Sequence, residues 1–215
     1  MGGSDMGPQG PTSADFADDI RSALPYLPTR TDNDGDRLGL VGHSEGGMIA
    51  PMIGATDARL RALVLMAGPS RSGRTIITYQ QKYAADSMLH LTGTARDSAV
   101  RAMAKSLDST AAAQPWVKFF LDYDPLATAR KVKQPVLVLQ GQTDRQVTSD
   151  QAEELAAALR SGGNGDVAVK VFPQTDHLFL VDPDGNPAGY AKLPSKSVRP
   201  EVLGAVADWL SAKMK

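Results

Sequence analysis

Ser44 stands in the middle of a Gly-x-Ser-x-Gly motif and is the residue best placed to do chemistry in this 215-residue chain. An apolar run at residues 38–41 precedes the motif and a second apolar run follows it, which predicts a strand, a sharp turn and a helix. A serine at such a turn presents its hydroxyl from a strained backbone, and the helix N-terminus beside it favours developing negative charge. The pattern predicts a nucleophile elbow; the alternative is an ordinary glycine-rich turn between a strand and a helix.

A serine nucleophile needs a base that accepts its proton, and histidine is the natural choice. The chain has three histidines, His43, His90 and His177. His43 adjoins the serine and is expected to point elsewhere, while His90 is expected at a surface or an interface. His177 closely follows an apolar run at residues 167–172, so it is expected at the carboxyl edge of a parallel sheet, where ligands bind in α/β folds. The predicted base is therefore His177.

The base in turn needs a carboxylate that orients its ring. Asp144 closely follows an apolar run at residues 136–139, which places it at the same sheet edge as Ser44 and His177. Asp176 competes for this role, but a carboxylate adjacent in sequence to the histidine rarely reaches the far nitrogen of the ring. Asp144 is the predicted acid of a serine–histidine–aspartate triad.

Short apolar runs rich in β-branched residues predict the strands that position these groups. They alternate with helical patterns, which predicts an α/β fold with a parallel sheet of about four strands joined by helical crossovers. The predicted strands cover residues 38–41, 63–67, 136–139 and 167–172. The predicted helices of this core cover residues 12–27 and 151–159, and a last helix begins at Pro200.

The connection between the second and third strands is too long for one crossover helix. Helical patterns at residues 75–89, 95–107 and 115–121 predict a helical cap inserted at residues 70–131. The α/β core is then formed by residues 1–69 and 132–215. Most large apolar residues of the insertion are expected to pack inside it, and four are candidates to line a substrate pocket: Met88, Trp116, Phe119 and Phe120.

Composition excludes several classes of function. The chain is 42 % hydrophobic and 22 % charged with a formal net charge of −1, so no nucleic-acid or membrane partner is expected. No apolar run is long enough to span a bilayer, and the polar residues 1–11 do not resemble a signal peptide, which makes the cytoplasm the default location. Without cysteines, neither disulfides nor thiolate metal sites can form. The triad chemistry requires neither a cofactor nor a metal.

Three segments resemble the nucleophile, acid and histidine segments of bacterial α/β-hydrolase esterases, including dienelactone-hydrolase-like and prolyl-oligopeptidase-like relatives. These segments are residues 42–47, 141–147 and 176–179, in the chain order serine, aspartate, histidine that this fold uses. The tripeptide Tyr123-Asp124-Pro125 is also familiar in such esterases. The resemblance covers nearly the whole chain and implies serine hydrolase activity.

The resemblance extends only to the second half of the hydrolase sheet, so the strands that precede the nucleophile strand in complete members are expected to be missing here. One oxyanion donor, the backbone N–H of Glu45, carries over. The loop that supplies the second donor in the family is expected to have no counterpart here, and the backbone N–H of Gly2 or Gly3 is a candidate substitute. The nucleophile strand is then expected to form an open apolar edge, which predicts pairing with a second copy as a homodimer.

The predicted function is a serine carboxylesterase that hydrolyses short-chain, small-molecule esters through an acyl-enzyme intermediate. Two alternatives remain. A peptidase or acyltransferase would use the same triad, and an inactive remnant of the fold would serve as a binding or assembly module. A covalent serine probe separates the enzymes from the remnant.

Overall fold

A parallel four-stranded sheet organises the chain, in a computed structural model that describes residues 10–215. The strands are β1 (Leu38–His43), β2 (Leu60–Met66), β3 (Val136–Gly141) and β4 (Val167–Phe172), in the spatial order β1-β2-β3-β4. All three pairings are parallel. The predicted α/β class with a parallel sheet of four strands is confirmed, and all four carboxyl ends meet at one edge.

Eight α-helices accompany the strands in the described part of the chain. They are α1 (Ser13–Ala23), α2 (Glu45–Gly54), α3 (Gly73–Tyr83), α4 (Gly93–Ala113), α5 (Pro115–Asp122), α6 (Pro125–Ala129), α7 (Gln151–Ser161) and α8 (Pro200–Lys213). Shorter helical turns lie at Leu27–Thr29, Ala84–Met88 and Pro187–Lys192.

The α3 segment differs from its prediction. The helix expected at residues 75–89 keeps α-helical bonding only to Tyr83 and then widens into a π-helical turn, Ala84–Met88. There the Leu89 N–H donates across five residues to the Ala84 carbonyl at 2.9 Å. His90 follows with φ of 51°, a left-handed backbone that helices cannot continue through. The wide turn and this residue together end the helical run.

One apolar core cluster of the sheet lies against α8. Val64, Leu137 and Leu139 project from β2 and β3 against Val202, and all four are buried. Trp209 of α8 is among the partly buried residues packed on the same cluster. The helix begins at a proline, as the sequence predicts, because proline fits the first turn, where no N–H is needed. This packing makes the carboxyl edge of the sheet a rigid platform for loops.

The described chain consists of two compact units. One contains Ser72–Tyr123 with residues 10–16, and the other contains Ala17–Arg71 and Asp124–Lys215. The first unit is helical, and its α5 carries a stacked aromatic pair, Trp116 and Phe120, with ring centroids 5.6 Å apart. The second unit holds the sheet. Whether the first unit serves as a cap stays a prediction.

The edge strand β1 is partly exposed. Leu38 is buried, but Val41 is 48 % exposed, because β1 pairs within residues 10–215 only with β2. Its outer N–H and C=O groups therefore have no ladder partner in the described sheet.

This edge leads to a prediction about assembly. An apolar edge strand recruits another strand, and a two-fold axis would join the β1 edges of two copies. We expect light scattering at micromolar protein to give twice the monomer mass of 22.8 kDa. A folded, soluble species at 22.8 kDa would show that the edge is protected within a single chain.

Candidate active site

Ser44 occupies the sharp turn between β1 and α2. Its backbone has φ of 55° and ψ of −119°, a conformation that residues with a side chain rarely adopt. The Ser44 N–H donates to the Met66 carbonyl at 2.9 Å, and the Ser44 carbonyl accepts from the Gly47 N–H at 2.9 Å. These bonds fix the turn to β2 on one side and to α2 on the other.

The glycines of the motif allow this turn to close. A Cβ on Gly42 would collide with the carbonyl of Gly46, and a Cβ on Gly47 would lie 2.7 Å from the Cα of Gly68. The strand, the helix and the loop after β2 therefore approach each other at backbone distance. A bare Gly-x-Ser-x-Gly pattern does not require such contacts, whereas an elbow does.

The structure brings the serine, the histidine and the aspartate predicted from the sequence into one hydrogen-bonded chain. His177 Nε2 lies 3.0 Å from Ser44 Oγ, and His177 Nδ1 lies 2.8 Å from Asp144 Oδ2. Since a carboxylate only accepts, Nδ1 carries the proton and Nε2 is left to accept from the serine hydroxyl. Asp144 and His177 are both buried, at 2 % and 5 % exposure.

Four N–H groups hold the Asp144 carboxylate. Its Oδ1 accepts from the backbone N–H of Gln146 at 2.7 Å and of Val147 at 2.9 Å. Its Oδ2 accepts from Gln140 Nε2 at 2.9 Å as well as from His177. Sequence reasoning missed Gln140, although a lone amide at the end of the apolar strand β3 signals a role at the sheet edge.

The carboxylate of Asp176 has different hydrogen-bond partners from the carboxylate of Asp144. Its Oδ1 accepts from the backbone N–H of Leu178 at 2.9 Å and of Leu180 at 2.8 Å, so it shapes the loop that carries His177. Its side chain is fully buried, and burial raises the pKa of this carboxyl above its ordinary value. The carboxylate is directed at the backbone of its own loop and not at the His177 ring.

Tyr190 borders the acid loop. Its hydroxyl lies 3.4 Å from Gln146 Nε2, and burial raises the pKa of Tyr190 to about 12. The nearby charges of Asp144 and Asp176 act in the same direction. Tyr190 is therefore a neutral phenol at physiological pH.

The other predicted site residues lie outside this hydrogen-bonded chain. Glu45 is the first residue of α2, which puts its backbone N–H at the helix N-terminus directly after Ser44. Gly2 and Gly3 lie outside the described residues. His90 is exposed and belongs to the helical unit, as do the four candidate substrate-binding residues Met88, Trp116, Phe119 and Phe120.

The helical unit contains an open apolar cavity of about 450 Å³. Phe119 and Tyr123 form part of its wall, with ring centroids 5.4 Å apart. Lys118 and Asp122 also line it and pair with each other at 2.6 Å.

Two further observations concern residues 10–215. No cluster of three or more histidine, aspartate or glutamate side chains among them could hold a metal ion. None of their helices combines the length and the hydropathy that a bilayer crossing needs.

A family model places these residues among known proteins. The model of the prolyl oligopeptidase family matches residues 11–210, which is most of the chain. The chain belongs to this family. Its membership in the wider α/β-hydrolase superfamily, which the sequence motifs indicated, is thereby confirmed.

One relative of this chain is an esterase. Esterase EstD of Thermotoga maritima is 26 % identical over 203 residues, which cover 90 % of this chain and 47 % of EstD. The chain thus spans about half the length of that relative.

Solved structures share the fold at low sequence identity. An esterase of Pyrococcus furiosus is 16 % identical with a TM-score of 0.60, over 98 % of this chain and 64 % of that one. The acylaminoacyl peptidase of Pyrococcus horikoshii is 16 % identical with a TM-score of 0.57, over 94 % of this chain and 28 % of the other.

Proposed function

We propose that the protein is a serine hydrolase that cleaves carboxylic esters, with Ser44 as nucleophile, His177 as general base and Asp144 as the group that orients His177. The observation that carries this proposal is the continuous hydrogen-bonded chain from Ser44 Oγ through both ring nitrogens of His177 to Asp144. A chain of this kind at a nucleophile elbow is the arrangement that activates a serine hydroxyl.

The mechanism follows from these bonds. Ser44 Oγ attacks the ester carbonyl while His177 Nε2 takes the hydroxyl proton. His177 then gives that proton to the leaving alcohol, and the acyl group remains on Ser44. Water, deprotonated by His177, attacks the acyl-enzyme; the acyl–Oγ bond breaks, the acid is released, and His177 returns the proton to Ser44 Oγ. Asp144 stabilises the imidazolium and keeps the ring in place throughout.

The oxyanion of the tetrahedral intermediate needs N–H donors. In this proposal the backbone N–H of Glu45 supplies one, because it directly follows the nucleophile and lies at the start of α2. The helix N-terminus adds positive potential at the same point.

A peptidase on the same triad is the second candidate function. The match to the prolyl oligopeptidase family favours it, whereas the relationship to EstD favours the esterase. Both reactions pass through an acyl-enzyme and differ in the leaving group, which is an amine in one case and an alcohol in the other.

Two assays test the proposal. A fluorophosphonate probe should label the protein at Ser44, because such probes capture activated serine hydroxyls. Acyl p-nitrophenyl esters should turn over faster than matched p-nitroanilides. Faster anilide cleavage would favour the peptidase, and a protein that neither labels nor turns over would be the inactive remnant.

The helical unit leads to a prediction about acyl chain length. A long acyl chain needs a broad apolar groove, but α4 has no buried residue and carries charged side chains along its length. Arg96 pairs with Asp86, and Arg74 pairs with Asp108 at 2.8 Å. We therefore expect p-nitrophenyl acetate and butyrate to react faster than the palmitate. Faster palmitate hydrolysis would contradict this expectation.

A further inference from the structure

His43 joins the nucleophile elbow to the loop that carries His177. It ends β1, immediately before Ser44, and its Nε2 lies 2.8 Å from the backbone carbonyl oxygen of His177, 134 positions along the chain. The two imidazole rings are 4.9 Å apart between centroids, and the ring of Phe179 meets His43 edge-on at 6.1 Å. This contact joins the residue that precedes Ser44 to the residue proposed as its base.

The bonding fixes a proton on each ring. A carbonyl oxygen only accepts, so the His43 nitrogen that faces it, Nε2, must carry a proton. His177 has its proton on Nδ1, which faces the Asp144 carboxylate. In their neutral forms the two neighbouring histidines therefore hold opposite tautomers.

The His177 loop depends on such outside contacts. Gln174 and Phe179, on either side of His177, have φ of 49° and 60°, which is unfavourable for residues other than glycine. A loop with such backbone angles persists only where its surroundings hold it. Asp176 holds the loop from within, and the Arg199 N–H donates to the Phe179 carbonyl at 3.0 Å.

We propose that His43 is a positioning residue, which sets the distance between His177 Nε2 and Ser44 Oγ by donating its Nε2 proton to the His177 carbonyl. This inference rests on the function proposed above. His43 touches no reacting atom and exchanges no proton in the reaction. It acts through the peptide group of His177, and a shift of that group moves the base relative to the nucleophile.

Two variants of His43 distinguish the effect of its hydrogen bond from the effect of its ring shape. His43→Phe keeps a planar ring against His177 and Phe179 but has no N–H. His43→Gln lacks the ring but places an N–H donor where the imidazole Nε2 lies. Because His43 is an exposed residue, neither variant leaves a buried cavity.

We expect His43→Phe to lower kcat for p-nitrophenyl butyrate by about 10- to 100-fold, because a misplacement of roughly 1 Å has effects of this size. KM should stay within about threefold, and His43→Gln should stay within about fivefold of the wild-type kcat. Wild-type kcat in His43→Phe would overturn the proposal. Equal losses in both variants would also overturn it, since they would assign the effect to ring shape. Each kcat is calculated per mole of folded protein, and circular dichroism measures the folded fraction of each variant.

A second measurement needs no turnover. Because the chain has only three histidines, nitrogen-15 NMR of the imidazole rings can be assigned with single histidine variants. We expect the Nε2–H tautomer for His43 and the Nδ1–H tautomer for His177, and in His43→Phe we expect altered His177 nitrogen shifts. An Nδ1–H tautomer at His43, or unchanged His177 shifts, would overturn the positioning role.

A wild-type protein that neither labels with fluorophosphonate nor cleaves esters or anilides would instead overturn the proposed function. The positioning role would then fail with it, whatever the tautomers.

Discussion

Replacing Ser44 by alanine is expected to lower kcat for p-nitrophenyl butyrate by about 10⁶-fold and to abolish fluorophosphonate labelling. Alanine removes the oxygen that would form the acyl-enzyme, and no other group in the hydrogen-bonded chain can replace it. In the proposed mechanism His177 and Asp144 act only by activating that oxygen, so their effect is lost with it. The loss should therefore match that of the triple variant at all three positions.

The control for this variant is Ser197→Ala, which removes a hydroxyl from an exposed residue of the same unit. It should label and turn over like the wild-type protein. Labelling of Ser44→Ala at another serine, confirmed by peptide mass, would contradict the assignment of the nucleophile. Retained turnover in that variant would do the same.

Asp144→Asn is expected to lower kcat by about 10²- to 10⁴-fold with little change in fold. The asparagine oxygen can keep the two backbone bonds from Gln146 and Val147. Its amide nitrogen would then meet two donors, Gln140 Nε2 and His177 Nδ1–H. His177 relieves this conflict by moving its proton to Nε2, and a ring in that tautomer cannot accept the serine proton.

Asp176→Asn is the matched control, since both aspartates are buried and both variants remove one negative charge. The asparagine oxygen still accepts from the N–H groups of Leu178 and Leu180, so the loop keeps its shape. We expect less than about a tenfold loss of kcat. Steady-state kinetics of the two variants at several pH values decides the assignment. A larger loss in Asp176→Asn would make Asp176 the orienting acid.

Most of the sheet could be predicted because its strands are short apolar runs with clear boundaries. The strand predicted at residues 167–172 matches β4, and the other three differ from the observed strands by a few residues at their ends. Helix α6 was not predicted because its five residues are too few to show a helical period of apolar residues. It forms through a cap, in which Asp124 Oδ1 accepts from the N–H groups of Leu126 and Ala127.

The residues proposed for the triad were found because each closely follows an apolar run, and parallel topology gathers such positions at one edge of the sheet. Contacts of strand side chains with loops carry no comparable signal. The amide of Gln140 and the imidazole of His43 meet their partners only after the chain has folded, and spacing does not reveal which atoms they face. The pattern therefore predicted which residues gather at this edge of the sheet, but it did not predict the hydrogen bonds among them.

The backbone conformation of Ser44 puts the stability of the fold and the proposed reactivity of the serine in conflict at one residue. A residue with a side chain held at φ of 55° and ψ of −119° costs of order 1–3 kcal/mol, and glycine would avoid most of that cost. Directed evolution that selects only for heat resistance would therefore favour glycine at this position and yield a more stable protein without the proposed nucleophile. Engineering of this chain needs a selection that rewards turnover, because the substitution that relaxes this backbone also removes the oxygen proposed to react.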